Sequence, residues 1–271
     1  MRMTNPARAS KSIALVYLAR GAEPDHLARF NAFLESYRRF SACVDHTLFV
    51  IFKGFRDDAR REAARAVFAN CSATAIFTAD GTFDIGSYAE ALPQIPHDRI
   101  CFLNTNSEIL CEGWLAKLAV NLDQPRVGIV SATASFESLA LLDPRFPRFP
   151  NVHLRSNAFM MNRKHAVDIL PAFNIQQKKD AFLAESGPDS ITRRIFGMGL
   201  MARVVGRNGR GYQPASWALS ETFRRGLQRN LMVHDNVTRT FERSPWEEKK
   251  SLAAQTWGEH MHNRTTMLLP G

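Results

Sequence analysis

The sequence predicts an α/β protein with a mixed, mainly parallel sheet flanked by helices and a helical extension at its C-terminus. Three observations predict it. Short, nearly continuous apolar runs of the kind buried on both faces of a parallel sheet recur along the first half. Segments with apolar residues at helical spacing alternate with them, the pattern of strand–helix–strand units. That rhythm then breaks at the proline-punctuated stretch DPRFPRFPN, after which a strand returning to the core implies a switch to mixed topology.

Residues 1–11 are polar and basic and read as a loose tail. SIALVYL at 12–18 is a buried strand. Residues 25–40 place Leu27, Phe30, Phe33, Leu34 and Tyr37 on one helical face, and HTLFVIF at 46–52 is a second buried strand. A helix at 57–70, a strand at 73–77, a helix beginning at 87–92 and the strand RICFL at 99–103 continue the alternation. In the second half, strands are expected at 127–131, 152–161 and 202–205, and helices at 164–170 and 190–198. From Ser220 onward the composition is polar with scattered helical segments. No internal repeat appears, so the chain reads as one domain over 12–215 carrying a helical extension over 216–271.

Composition narrows the classes. With 271 residues, 45% hydrophobic and 23% charged, most of the chain can bury a core, which excludes wholesale disorder. Fifteen glycines and thirteen prolines without a triplet period exclude collagen-like and low-complexity chains. No apolar run approaches the roughly 18 residues that span a bilayer, and the N-terminus lacks the apolar segment of a secretion signal, so the expected location is the cytoplasm. Cys43, Cys71, Cys101 and Cys111 lie far apart, without zinc-site spacing, and read as reduced, mostly buried thiols. The formal charge of +9 favours nucleotides, nucleic acid, anionic lipid and acidic glycans alike. Because the basic residues are dispersed and no aromatic–basic signature accompanies them, nucleic acid is not the expected partner. Peripheral contact with the inner face of a membrane remains an expectation.

In open α/β sheets ligands bind beyond the carboxyl ends of the strands, so polar residues directly after the buried runs are the first candidates. They are Arg20, Lys53, Asp80 and Asp84, and Asn104 and Asn106 in the segment NTNSE. Each alone also fits an ordinary turn, because Gly, Asn and Asp favour turns. Their shared edge is the informative feature.

DGTFDIGSYAEAL at 80–92, followed by RICFLNTNSE at 99–108, resembles the glycosyltransferases of the GT-A fold, particularly family-2-like enzymes and proteins related to rhamnan synthesis protein F. The resemblance covers roughly residues 12–239. It implies a GT-A-like (Rossmann-like) domain and a hexosyltransferase-like activity in cell-surface polysaccharide synthesis. The sugar would pass from a nucleotide-diphosphate donor to a glycan or lipid-linked acceptor. It also implies Mg2+ or Mn2+ held by an Asp-x-Asp motif. Here that place is taken by Asn104-Thr105-Asn106, whose amides bring no negative charge to a metal, and Arg20, Lys53 and Arg155 are candidates to offset the diphosphate charge instead.

NVHLRSNAFMMNRK at 151–164 resembles the family's strand near the acceptor side. Period-two alternation would turn His153 and Arg155 to one face, although a strand histidine is also commonly structural. AESGPDSITRRIFGMGLMARVVGRNG at 184–209 resembles the stretch carrying the acidic base, with Glu185 and Asp189 as candidates. Asp189 has the competing role of capping the helix that follows it. The basic segment at 206–239 resembles the family's closing tail, with Arg224 and His234 as donor-side candidates, while Arg224, Arg225 and Arg229 also fit a solvated helix face. The alternatives to an enzyme are a non-catalytic GT-A-like scaffold and a basic protein that binds nucleic acid or a membrane surface.

Overall fold

The computed structural model describes residues 11–258. In the first half, β1 (Ile13–Arg20), α1 (His26–Arg39), β2 (Thr47–Lys53), α2 (Asp58–Val67), β3 (Ala73–Phe77), α3 (Phe83–Ala91) and β4 (Arg99–Leu103) follow in strict alternation. A two-residue strand β5 (Glu108–Ile109) and α4 (Trp114–Leu122) lead into β6 (Val127–Ser131). Next come β7 (Ala134–Ser135), β8 (His153–Leu154), β9 (Ala158–Asn162), α5 (Arg163–Ile169), α6 (Lys178–Ser186), α7 (Ile191–Gly197), β10 (Met201–Val205) and β11 (Gly211–Tyr212). The chain closes with β12 (Val233–His234), α8 (Asn236–Arg243) and α9 (Trp246–Trp257).

Eight strands form one sheet in the order β11-β10-β6-β9-β4-β1-β2-β3. The β1, β2, β3 and β4 pairings are parallel, β10 runs parallel to β6, and β9 lies antiparallel to both β4 and β6. The expected mixed topology is therefore real, and β9 is where it enters. Successive β1 residues feed two cores. Leu15, Tyr17 and Ala19 pack with Phe30, Phe33 and Leu34 of α1 and with Trp114 and Leu118 of α4. Ala14, Val16 and Leu18 pack on the opposite face with Tyr88, Ile169, Ile195, Trp217 and Trp257. Burial on both faces is why the run is continuously apolar, each large aliphatic side chain contributing about 1.5–3 kcal/mol. Tyr17 also stacks on Phe33 with ring centroids 3.8 Å apart.

Several sequence expectations are corrected. The strand expected over 152–161 is two strands, and Arg155 lies in the turn between them, outside both. Alternation along one strand therefore does not relate it to His153. The turn is held by the Arg155 amide donating to the Thr133 carbonyl and by the Ser131 hydroxyl donating to the Arg155 carbonyl. Helix α3 starts at Phe83 rather than at 87, while α4 and α6 were not foreseen. Residues 220–232 form no helix, so the three arginines there share no helical face; positive φ at Glu221, Arg224, Gly226 and Gln228 breaks the segment into bends. Cys101 and Cys111 are buried as expected, but Cys43 is exposed. The N-terminal tail and residues 259–271 of the extension lie outside the described residues.

Candidate active site

β1, β2 and β4 end at one edge, and the loops leaving them interlock. Thr105 is the pin. Its hydroxyl donates to the Leu18 carbonyl at 2.8 Å and accepts from the Arg20 amide at 3.3 Å, and its carbonyl accepts from the buried Tyr17 hydroxyl at 2.8 Å. The loop 104–107 is thereby fixed against the end of β1, with Arg20 and Asn106 on the same rim. On its other side, the Asn104 amide and the Ser107 hydroxyl both donate to the Asn157 carbonyl, tying the loop to the start of β9.

Asn104 spends its side-chain oxygen on its own loop, accepting from the Asn106 amide and the Ser107 hydroxyl. Asn106 is gripped from both sides. Its side-chain oxygen accepts from Arg29 of α1 at 2.8 Å, and its carbonyl accepts from Arg239 of α8 at 3.0 Å. Arg239 also pairs with Glu108 at 2.5 Å, and Arg29 pairs with Asp25 at 2.9 Å. Neither arginine was singled out from the sequence. The available signals were the i,i+4 spacing of Asp25 and Arg29 and the capping box of Asp235 and Thr238, which starts α8 and so sets Arg239 in its first turns.

Lys53 is 2% exposed, with Nζ donating to the Phe83 carbonyl at 2.8 Å and the Ser87 hydroxyl at 2.7 Å. It anchors the start of α3 and offers the crevice charge more than contact. Its pKa is held below the usual lysine value by burial, against the attraction of Asp84 and Asp80. Asp84 is pushed up by burial, opposed by Lys53 and Arg20 and reinforced by the carboxylate of Glu185. Asp84 thus lies within electrostatic reach of both the β1–β2 rim and Glu185. Asp80 is half exposed and meets Arg20 at 3.6 Å, packed over Gly54, where a Cβ would stand 2.6 Å from its carboxylate.

Glu185 sits in the last turn of α6 and points to the turn before β9, where Oε2 accepts from both the amide (2.7 Å) and the hydroxyl (2.5 Å) of Ser156. Arg155, next to it, lies 4.4 Å over the Phe223 ring and pairs with Asp235 at 3.5 Å; among the described residues, its Nη1 finds no hydrogen-bond partner. His153 is buried, bonds the Asn151 carbonyl through Nδ1, and is kept below its usual pKa chiefly by desolvation. Asp189 is exposed and forks onto Arg194, while Ser190 caps α7 in its stead.

The C-terminal segment is bound into the site instead of hanging over it. β12 pairs with β5, setting His234 opposite Glu108, and Asp235 caps α8 while holding Arg155. His234 contacts Thr238 and Glu242 at 3.0 and 3.1 Å and is lowered chiefly by burial. Arg224 reaches away to Glu137 and Thr256, with its guanidinium near the same Phe223 ring. The structure therefore groups Arg20, Lys53, Asp80, Asp84, Asn104 and Asn106 along one rim, with Glu185 and Arg155 beyond Asp84. His153 is enclosed, and Asp189 faces solvent.

A cleft of about 350 Å³ opens beside this rim, lined by Phe52, Lys53, Gly54, Phe55, Phe77 and Asp80 among others. A larger depression, about 1240 Å³, lies at the other end of the sheet, where Ile13, Thr47 and Arg99 begin their strands. There Arg99 is already forked onto Asp123.

The donor set does not fit a divalent cation. The Asn104 and Asn106 side-chain oxygens already accept hydrogen bonds, the latter from a guanidinium, and Glu108 is neutralised by Arg239. A metal placed on this loop would meet the Arg29 guanidinium at contact range on the Asn106 amide oxygen and would have to displace Arg239 from Glu108.

Comparison with solved structures places the architecture. A mannosyltransferase from Pyrobaculum calidifontis, solved in complex with GDP-Man and Mn2+, superposes with a TM-score of 0.52 at 12% identity, over 78% of this chain and 60% of its own. A 4-diphosphocytidyl-2C-methyl-D-erythritol synthase from Anaerococcus prevotii gives 0.46 at 12% identity, over 72% and 88%. Mouse xyloside xylosyltransferase 1 gives 0.41 at 14%, over 72% and 84%. No family model and no curated protein matches the chain. The fold is thus GT-A-like: a mixed, mainly parallel sheet flanked by helices, as in glycosyltransferases. Among the described residues no helix is long and apolar enough to cross a membrane.

Proposed function

We propose that the chain is a glycosyltransferase of hexosyl type that takes its sugar from a nucleoside-diphosphate donor. The observation that carries this reading is the gathering, at one carboxyl edge, of the Arg20–Asn106 rim, the Asp84 carboxyl and the Ser156-held Glu185. The nucleoside would occupy the cleft beside Lys53, Phe55 and Phe77, with its diphosphate against Arg20 and the loop 104–106. Its size is in the range of small-ligand sites.

Glu185 then acts as general base. It takes the proton of an acceptor hydroxyl as that oxygen bonds to the anomeric carbon, and the bond from that carbon to the diphosphate breaks with its electron pair passing to the phosphate oxygen. Ser156 fixes the carboxylate's rotamer without consuming Oε1, for which no hydrogen bond appears among the described residues. Arg155, with an unpartnered buried N–H beside this position, is suited to an acceptor or sugar hydroxyl. Asp189 is the second-choice base. Relation to rhamnan synthesis protein F, a glycan or lipid-linked acceptor and cell-surface polysaccharide synthesis belong to the same proposal, supported by the sequence segments named above, and a cytoplasmic or membrane-peripheral location is part of it. The test is nucleoside diphosphate release from UDP- and GDP-sugars with a panel of glycan and lipid-linked acceptors. Release by the parent chain and its loss in Glu185→Gln supports the reading. Failure of UDP and GDP to shift the melting temperature or to be released removes it.

A further inference from the structure

We infer that this crevice binds the donor diphosphate without a divalent cation, the guanidinium groups of Arg29 and Arg239 standing where the GT-A fold elsewhere holds a metal. The inference rests on the nucleotide reading above and adds how the charge is met. Two arginines from elements far apart in the chain close on one residue: Arg29 on the Asn106 side chain and Arg239 on its carbonyl, across 133 positions of sequence. Asparagine suits this arrangement. With an aspartate at 106, a carboxylate would bind Arg29 and set a further negative charge beside Arg239, whereas a neutral amide positions Arg29 and adds none.

The counter-charges also differ in how they are held. Asp25, paired with Arg29, is 58% exposed, and Asp80, 3.6 Å from Arg20, is 51% exposed, whereas Glu108, paired with Arg239, is 35% exposed. Exposed ion pairs are weak and readily exchanged, so an arriving diphosphate can displace Asp25 from Arg29 and Asp80 from Arg20, while Arg239 meets it with Glu108 still at its side. A metal-dependent site behaves in the opposite way, because nearby carboxylates help to hold the cation. Removing Asp25 therefore has opposite consequences under the two schemes. Asp25 makes no side-chain capping bond to α1, so its replacement leaves the helix start intact.

The experiment is isothermal titration of UDP and of GDP into the full chain, once in EDTA and once in Mn2+ or Mg2+, for the parent and for Arg29→Gln, Arg239→Gln and Asp25→Asn. The expected result is affinity within about threefold between EDTA and metal. A tenfold or greater weakening is expected in Arg29→Gln, and a few-fold tightening in Asp25→Asn. Should Arg239→Gln fail to fold, Arg239→Lys retains the charge and is expected to bind within about fivefold of the parent. Tenfold tighter binding with metal, or unchanged affinity in Arg29→Gln, overturns the inference while leaving the nucleotide reading standing. Absence of binding to either nucleotide in both buffers removes that reading, and this inference with it.

Discussion

Replacing Glu185 by glutamine separates its chemical role from its structural one. The carboxylate accepts two hydrogen bonds from Ser156 through one oxygen, and the amide oxygen of glutamine can accept both. What changes for stability is the charge assistance, about 1 kcal/mol for each bond, so the loss is at most about 2 kcal/mol. Release of a partly buried carboxylate from its repulsion with Asp84 offsets part of that. For a domain of this size the melting temperature falls by no more than about 4–8 °C. Proton abstraction, in contrast, is lost altogether, and general-base catalysis is typically worth about 10²–10⁴-fold. The assay is the rate of nucleoside diphosphate release at saturating donor and acceptor, alongside thermal denaturation and the UDP or GDP dissociation constant. The expected pattern is a rate lower by about a thousandfold, nucleotide affinity within a few-fold of the parent, and a modest thermal shift. A rate within tenfold of the parent would refute the assignment of Glu185 as base, and Asp189 would then be tested in the same way.

Two further outcomes follow from the buried titratable groups. His153 is held neutral by burial, so its folded pKa lies below the unfolded value of about 6.5. The unfolded chain therefore takes up a proton that the folded chain refuses; the associated stability is complete above pH 6.5 and declines as the pH falls below it. The melting temperature of the parent should drop between pH 7 and pH 5, and His153→Gln should flatten that slope; equal slopes would show that other groups set it. Lys53→Met deletes an ammonium that is buried among α3 groups. Ser87 still donates to the Phe83 carbonyl, so the fold persists, and UDP or GDP binding weakens only a few-fold through lost field. A hundredfold loss would mean that Lys53 touches the ligand.

The strands β1, β2 and β4 were legible because burial on both faces forces an unbroken apolar run. The proline break before β9 signalled the mixed topology, but the insertion of β9 between β4 and β6 was not legible, since such a strand carries the same apolar run as its neighbours. Helix α4 escaped notice because WLAKLAVNL is buried around most of its circumference and lacks a polar face, and α6 because KKDAFLAES has only a weak apolar stripe. At the site, polar residues that end buried strands were readable, which is how Arg20, Lys53 and the Asn104–Asn106 loop were found. Arg29 and Arg239 lie inside helices, and their meeting at Asn106 exists only once α1 and α8 dock on either side of the loop. Ser156 follows Arg155 in the sequence, but its grip on Glu185 depends on the turn that divides β8 from β9.

The most direct test is a crystal structure of the chain soaked with UDP or GDP in EDTA. The account predicts the diphosphate between Arg20 and the Asn104–Asn106 loop, within hydrogen-bond reach of Arg29 or Arg239, with the nucleoside toward Phe55 and Phe77. A nucleotide seated instead in the large depression beside His46, His97 and Arg99, at the opposite end of the strands, would contradict it.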